Sequence, residues 1–379
     1  MESILLYVVS IFFIIGAIDY IEDNRFKLGA SFEAGIKSMG SLALSMIGIL
    51  SLTPFLLEQI SNVLITISNK ILIDPSIFLG SIIAVDMGGY NLCSSLANDG
   101  SMKIFSGILI SSILGCTISF TLPLSIGLVK KEEFDSLFKG ILCGIVAMPI
   151  GLLVGGLMLK ISIIKIIYNL LPIILLSILI GTGILFKTRQ TVFIFNLLGK
   201  IIRYIGIIGI IVQGAKSICG VELLKNIMPI QEVLLTVGKI AIFLSGAYVM
   251  IEFIKKCLNK HLQFIENRIN INQDSILALI GSLASAIIIF DSFEKLDYKG
   301  KVICSAFSVG GAYVFGGQLG YVAGVEPRML NVYVITKLLC GIIGIIIAII
   351  FLKYEDKGWG INKLWKIKLG MELFFLLHF

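Results

Sequence analysis

The feature that most constrains this chain is a series of apolar runs, each about 20 residues long, that recur along nearly its whole length. A helix of that length spans the hydrocarbon core of a membrane. Charged residues make up only 15% of the 379 residues, and the mean hydropathy is +1.00. Because backbone polar groups inside a bilayer must bond to one another, the sequence predicts an all-α polytopic membrane protein.

The apolar runs are of two kinds, about nine full spans and two interrupted segments, 76–97 and 274–294. The interrupted segments are shorter and richer in small residues, so we expect re-entrant or broken helical hairpins that enter and leave by the same face. The chain then has 10–11 apolar segments. The predicted full spans are 4–20, 36–57, 102–128, 137–159, 163–186, 201–219, 233–254, 300–324 and 331–352.

The distribution of lysine and arginine favours the hairpins. If both interrupted segments crossed the membrane, the basic residues would divide almost evenly between its two sides. If both are hairpins, most basic residues lie on one side, which the positive-inside rule makes cytoplasmic. The N-terminus is then outside, and the expected location is the plasma membrane, with a bacterial inner membrane favoured.

An internal repeat is also predicted. A shift of about 200 residues brings hairpin 76–97 onto 274–294 and span 102–128 onto 300–324. Small residues recur every four positions in both of those spans, although ordinary helix packing also produces such stripes. With the hairpins not crossing, an odd number of crossings separates the two copies, so the repeat is inverted. Inverted repeats with a broken segment in each half are typical of secondary transporters.

These patterns divide the chain into four parts. The first membrane repeat comprises residues 1–159, and the second comprises residues 201–355. Residues 160–200 form a linking span and a cytoplasmic loop, and residues 356–379 form an interfacial C-terminal tail with tryptophan and lysine anchors.

Asp86 is the main candidate functional residue. A carboxylate at membrane depth costs about 2.5–3.5 kcal/mol on insertion scales, so it usually faces a cavity, a partner or a cation. Gly88 and Gly89 follow it and allow the backbone to leave helical geometry. An acid beside a helix break predicts a substrate site in a discontinuous helix. The alternative is a structural acid that caps the second half of the hairpin.

Several function classes are disfavoured by composition. The net charge of +7 is spread over short loops, so we expect no binding of nucleic acid. His261 and His378 lie outside the spans, and the seven cysteines show no CxxC spacing. We therefore expect no metal site, no cofactor and no nucleophile–base pair in the core, which makes a membrane-embedded enzyme the least favoured class.

Five stretches of the chain resemble a known family, the ethanolamine permease of ethanolamine-utilisation systems (EutH). The stretch 86–90, Asp-Met-Gly-Gly-Tyr, with an Asp-Pro upstream, is fairly specific. The likeness follows the family in order over roughly residues 1–355. The stretches are 32–40, 74–78, 86–90, 140–151 and 299–303. The resemblance implies a transporter or facilitator for ethanolamine or a related small amino alcohol.

The second half departs from the family pattern at two places. The second hairpin has Ser285, Ala286 and Ile288 where the family carries paired asparagines and a proline. The next helix has Gly317 and Gln318 where the family carries an aspartate and a histidine. The resemblance therefore implies the fold, and it leaves open both the exact amine and the coupling to protons or sodium.

The implied substrate is an ammonium with a hydroxyl, and it suggests roles for further residues. Asp86 would balance the charge, and the ring of Tyr90, four positions later, could face the cation. Asn91 and Gln318 could bond the hydroxyl. If Asp86 is structural, the stretch from Tyr313 to Gln318 is the next candidate. Local packing is the alternative for these side chains.

Three function classes remain, namely a transporter of a small cation, a non-transporting scaffold or sensor, and an enzyme. We favour the transporter, acting by alternating access around a site near the membrane midplane. Its expected partners are the cationic substrate and the lipid bilayer, and homo-oligomerisation stays open.

Overall fold

The computed structural model of the protein describes residues 4–259, Glu266 and residues 271–355. The predicted tail 356–379 and both histidines lie outside these residues. The described ranges contain helices and no strand. In chain order the α-helices are α1 (Ile4–Ile21), α2 (Gly29–Ile71), α3 (Ser76–Gly80), α4 (Gly89–Leu96), α5 (Gly100–Leu128), α6 (Phe134–Met158), α7 (Ile163–Phe186), α8 (Thr188–Cys219), α9 (Ile230–Asn259), α10 (Gln273–Ser282), α11 (Ile287–Asp291), α12 (Tyr298–Gly310), α13 (Gly317–Val325) and α14 (Leu330–Glu355).

Within the described residues, eight helices are long and apolar enough to cross a membrane, namely α1, α2, α5 to α9, and α14. The prediction of an all-α polytopic membrane protein is thereby confirmed. Segment 300–324, predicted as a ninth continuous span, is instead two helices, α12 and α13, separated by unwound chain at residues 311–316. Glycines lie at both ends of this break, and glycine is a weak helix former.

Both interrupted segments have ends that meet, as re-entrant hairpins require. In the first, the backbone N–H of Asn98 donates to Oδ2 of Asp74 over 3.0 Å. In the second, the backbone N–H of Asn272 donates to Oδ1 of Asp297 over 3.0 Å. Asp74 and Asn272 also accept from the N–H at the start of α3 and α10 respectively, so each hairpin begins with a side-chain cap.

The backbone of the break at 311–316 is bonded to the second hairpin. The N–H of Tyr313 donates to the carbonyl of Ser282 over 3.0 Å, and the N–H of Phe315 donates to that of Leu283 over 2.8 Å. These carbonyls lie at the end of α10, where a helix leaves its last acceptors unpaired. Unwound chain is therefore tolerated here because protein satisfies its polar groups.

Helix α5 stays continuous but is widened over much of its length. Residues Phe105–Gly115 and Thr117–Thr121 form π-helical turns, which are rare and are frequent at functional sites. The α5 helix is almost wholly buried and packs against both α3 and α4 of the first hairpin.

Close helix crossings hold the two halves together. Helix α2 packs along α9, and α12 and α14 both pack on α6. At Gly144 of α6, a Cβ atom would lie 2.5 Å from the carbonyl oxygen of Ala306 in α12, so only glycine allows this approach.

Ion pairs mark the two ends of the bundle. Near the start of α5, Lys103 pairs with Glu326 over 2.8 Å. Beyond the other end of α5, Lys130 pairs with Glu294 over 2.9 Å. The loop before α6 lies at that same end, because the loop that follows α5 leads directly into α6.

Candidate functional site

Asp86 lies in the break of the first hairpin, on a short 3-10 turn formed by Val85–Met87 between α3 and α4. The next residue, Gly88, has φ +89°, a left-handed conformation that favours glycine. A Cβ at Gly89 would overlap Oγ of Ser111 and lie 2.6 Å from the carbonyl oxygen of Ile83. Both glycines therefore shape the turn, and the turn leaves Asp86 partly exposed.

A cavity of about 360 Å³ lies beside this turn. Its wall includes Met87, the neighbour of Asp86, together with residues of α2, α5 and α8. Phe120 of α5 is also in the wall, and its ring contacts that of Tyr313 with centroids 5.8 Å apart. The cavity wall thus contains the chain neighbour of Asp86 and a ring that contacts Tyr313 of the break at 311–316.

Four polar side chains from the second half of the chain interact with Asp86. Lys337, Tyr313, Tyr321 and Tyr333 each interact electrostatically with Asp86. Tyr313 has φ +62°, which is strained for a non-glycine residue, and such strain clusters at functional sites. Its carbonyl oxygen accepts a hydrogen bond from the Tyr333 hydroxyl over 3.1 Å.

Lys337 is the residue that sequence reasoning missed. It lies in the predicted span 331–352 and is only 1% exposed. Its Nζ donates to the carbonyl oxygen of Ser112 over 2.8 Å and to Oε1 of Gln318 over 2.9 Å. The sequence signal that could have identified this residue is a single lysine two helical turns inside a long apolar run.

Tyr90 and Asn91 lie in a second group of side chains, which we call the outer cluster (Tyr90, Asn91, Lys103, Tyr321 and Glu326). The Tyr90 hydroxyl donates to Oε1 of Glu326 over 2.6 Å, and the Lys103 ammonium lies 5.2 Å from the centre of the Tyr90 ring. Oδ1 of Asn91 accepts from the Tyr321 hydroxyl over 3.0 Å. The ring of Tyr90 therefore already has a cation, which the sequence did not predict.

The predicted site residues accordingly separate into three roles. Gln318 bonds Lys337, and both Lys337 and Tyr313 interact with Asp86. Tyr90 and Asn91 join α4 to α13 and the chain that follows it. Gly88 and Gly89 shape the turn. Of the positions that depart from the family pattern, Ala286 is fully buried in the break of the second hairpin, and Gly317 begins α13.

Comparison with known proteins places the chain in a family. A family described as "Ethanolamine utilisation protein, EutH" matches residues 1–351. The chain belongs to the EutH family. The resemblance noted from residues such as 86–90 is therefore confirmed.

Curated relatives cover almost the whole chain. A probable ethanolamine permease EutH of Listeria monocytogenes is 37% identical over 348 residues, which are 92% of this chain and 93% of the relative. The uncharacterized protein YxeR of Bacillus subtilis is 37% identical over 336 residues, 89% of this chain and 91% of the relative. A probable ethanolamine permease EutH of Escherichia coli is 29% identical over 393 aligned positions, 94% and 96% of the two chains. No solved structure matches the chain.

Membership of the EutH family and the eight apolar helices confirm a multi-pass membrane protein, as expected for the bacterial plasma membrane. The relatives named as permeases support a transporter and not an enzyme.

Proposed function

We propose that the protein transports ethanolamine, or a related small amino alcohol, across the plasma membrane by alternating access around Asp86. The observation that carries this proposal is a partly exposed carboxylate in a helix break, next to a cavity, where the two halves of the chain meet. The names of the relatives from Listeria monocytogenes and Escherichia coli supply the substrate class.

The side chains near Asp86 suit a small ammonium that carries a hydroxyl. The carboxylate balances the positive charge, and the tyrosines around it offer ring faces to a cation. Gln318, held by Lys337, is placed to bond the hydroxyl through its amide. We assign Gly88 and Gly89 to the shape of this site, and Asn91 and Tyr90 to its outer closure.

Alternating access is supported by two ion pairs that link the halves in related ways. Lys103 at the start of α5 pairs with Glu326, which follows α13, over 2.8 Å. Lys301 at the start of α12 pairs with Glu133, which precedes α6, over 2.7 Å. A shift of about 200 residues brings one lysine onto the other. Each end of the bundle thus has a pair that joins the halves, so the contact at one end could break while that at the other end holds.

The inverted repeat, with halves 1–159 and 201–355, is part of the same proposal. The hairpin caps support it, because Asp74 and Asn272 occupy equivalent places under the shift of about 200 residues. In the expected orientation, the outer cluster faces the exterior. The cavity wall contains Pro123 and Leu124 from the far end of α5, and the ion pairs at both ends of the bundle are formed.

A flux measurement tests the proposal. Proteoliposomes with the full chain should take up labelled ethanolamine faster than empty vesicles when both sides are held at the same acidic pH. There the neutral, freely permeant amine is scarce and the cation needs a protein path. Uptake equal to that of empty vesicles, for ethanolamine and for several other small amines, would reject the transporter. Amine binding without flux would favour the sensor.

A further inference from the structure

Lys337 places a second charge in the proposed site. Geometry places it beside the break of the first hairpin, because its Nζ donates to the carbonyl oxygen of Ser112, and the neighbouring Ser111 donates from Oγ to the carbonyl oxygen of Ile83 in that break. Asp86 of the break, Cys116 of α5 and Cys340 of its own helix act electrostatically on its ammonium, and the ring of Tyr333 lies 5.8 Å away. The carboxylate of Asp86 and the ammonium of Lys337 are opposite charges, so the empty site is close to neutral. A substrate cation that enters at Asp86 would leave the buried site with a net positive charge, which a low-dielectric interior disfavours.

The hydrogen bonds of Lys337 fit both of its protonation states. Nζ donates to the carbonyl oxygen of Ser112 and to Oε1 of Gln318, which are both neutral oxygens. A neutral amine retains two N–H groups, enough for these two acceptors. Loss of the proton therefore leaves both hydrogen bonds in place. Neither acceptor is a carboxylate, so no negative oxygen bonded to Nζ loses a positive partner. A buried lysine can release its proton, whereas arginine remains charged.

We propose that Lys337 exchanges a proton for the substrate cation. When an ammonium binds at Asp86, one N–H bond at Nζ breaks, the electron pair stays on nitrogen, and the proton passes to water in the cavity. When the amine leaves, Nζ takes up a proton from water on the side to which the site is then open. The charge of the site is the same before and after, so each amine cation moves in exchange for one proton. This proposal rests on the proposed transport of an amine.

Proton release on binding is the direct test. Calorimetric titration of the purified full chain with ethanolamine near neutral pH, in two buffers of different ionisation enthalpy, gives the number of protons released for each amine bound. We expect about one proton for the wild type, because a cation at Asp86 and a proton at Lys337 exclude each other. The apparent affinity should rise about tenfold for each pH unit while free Lys337 is protonated.

Two variants make the test specific. Lys337→Gln should bind the amine without releasing a proton, and its affinity should lose the dependence on pH. Lys239 is the matched control, because it also lies within a predicted span but is exposed beside a different cavity. Lys239→Gln should release about one proton, as the wild type does.

The outcomes separate the two proposals. Two results would each overturn the exchange and leave the transporter intact. One is amine binding by the wild type without proton release, and the other is unchanged proton release from Lys337→Gln. Absence of both binding and uptake in the wild type would reject both. Even if Lys337→Gln fails to fold, absence of proton release from the wild type would still overturn the exchange. In proteoliposomes, an imposed membrane potential should change uptake by Lys337→Gln and leave wild-type uptake unchanged.

Discussion

At the scale of single residues, the proposed site depends on one carboxylate and on the glycines that turn the chain around it. Asp86 is partly exposed because the 3-10 turn and the left-handed Gly88 interrupt the hairpin at that point. If Asp86 only caps α4, a neutral replacement that keeps the cap should leave transport normal.

Asp86→Asn should reduce ethanolamine uptake in proteoliposomes by at least tenfold, which needs only about 1.4 kcal/mol. The amide keeps the shape and the hydrogen-bonding capacity but removes the charge that balances the cation. Uptake by Asp86→Glu should lie between that of the wild type and that of Asp86→Asn, since the charge persists but the carboxylate is displaced by one methylene group. The protein must still elute as a single peak in size exclusion. Normal transport by Asp86→Asn would show that the acid is structural and would direct attention to Tyr313–Gln318.

Gly89→Ala should lower the free energy of unfolding of the detergent-solubilised protein by about 1–3 kcal/mol, because the added methyl group meets Oγ of Ser111 in α5 as well as the backbone of Ile83. Gly127→Ala is the control, since nothing lies within 4 Å of a Cβ at that position. Equal melting temperatures for the two variants would contradict the close approach of the first hairpin to α5.

At the scale of elements, the hairpins and the broken pair α12–α13 supply unwound backbone at the site, and the outer cluster joins them. The ion pair of Lys103 and Glu326 connects residues from opposite halves of the chain, as does the hydrogen bond of Tyr90 to Glu326. If this cluster closes the site on the outside, weakening it should open that side.

Glu326→Gln should increase labelling of Asn91→Cys by a membrane-impermeant thiol reagent added outside, in a background without the exposed Cys219 and Cys257. Lys103→Glu combined with Glu326→Lys should restore the lower labelling. Glu222→Gln is a matched control, because Glu222 pairs with Lys216 at the end of α8 and not across the halves. Labelling that responds equally to both glutamine variants would exclude a gating role for the outer cluster.

At the scale of the whole molecule, the topology follows from the non-crossing hairpins. Cysteines placed at Lys70 and Lys103 should react with an impermeant reagent in intact cells, whereas one at Lys131 should react only after permeabilisation. The reason is that the first hairpin returns to the face it entered, so the two flanking lysines share the external side. Opposite-face labelling of Lys70 and Lys103 would refute both the hairpin and the inverted repeat.

Local sequence was enough to predict the membrane class and the two interrupted segments, including the break at Asp86. These depend on apolar length, on small residues and on the cost of a charge in lipid, which are properties of contiguous residues. The break at 311–316 was not predicted because 300–324 is long and mostly apolar, and the acceptors that stabilise its unwound chain, Ser282 and Leu283, lie in the second hairpin.

Only the tertiary structure decided which side chains meet at the site. Lys337 reaches Ser112, a residue 225 positions earlier in the chain, and Tyr90 reaches Glu326, 236 positions later. Such pairs are set by the crossings of distant helices and by the widened turns of α5, and no local pattern encodes them. The sequence by itself determined that an acid lies beside a helix break in an apolar segment, and helix packing determined that Lys337, a buried lysine from the second half, interacts with that acid.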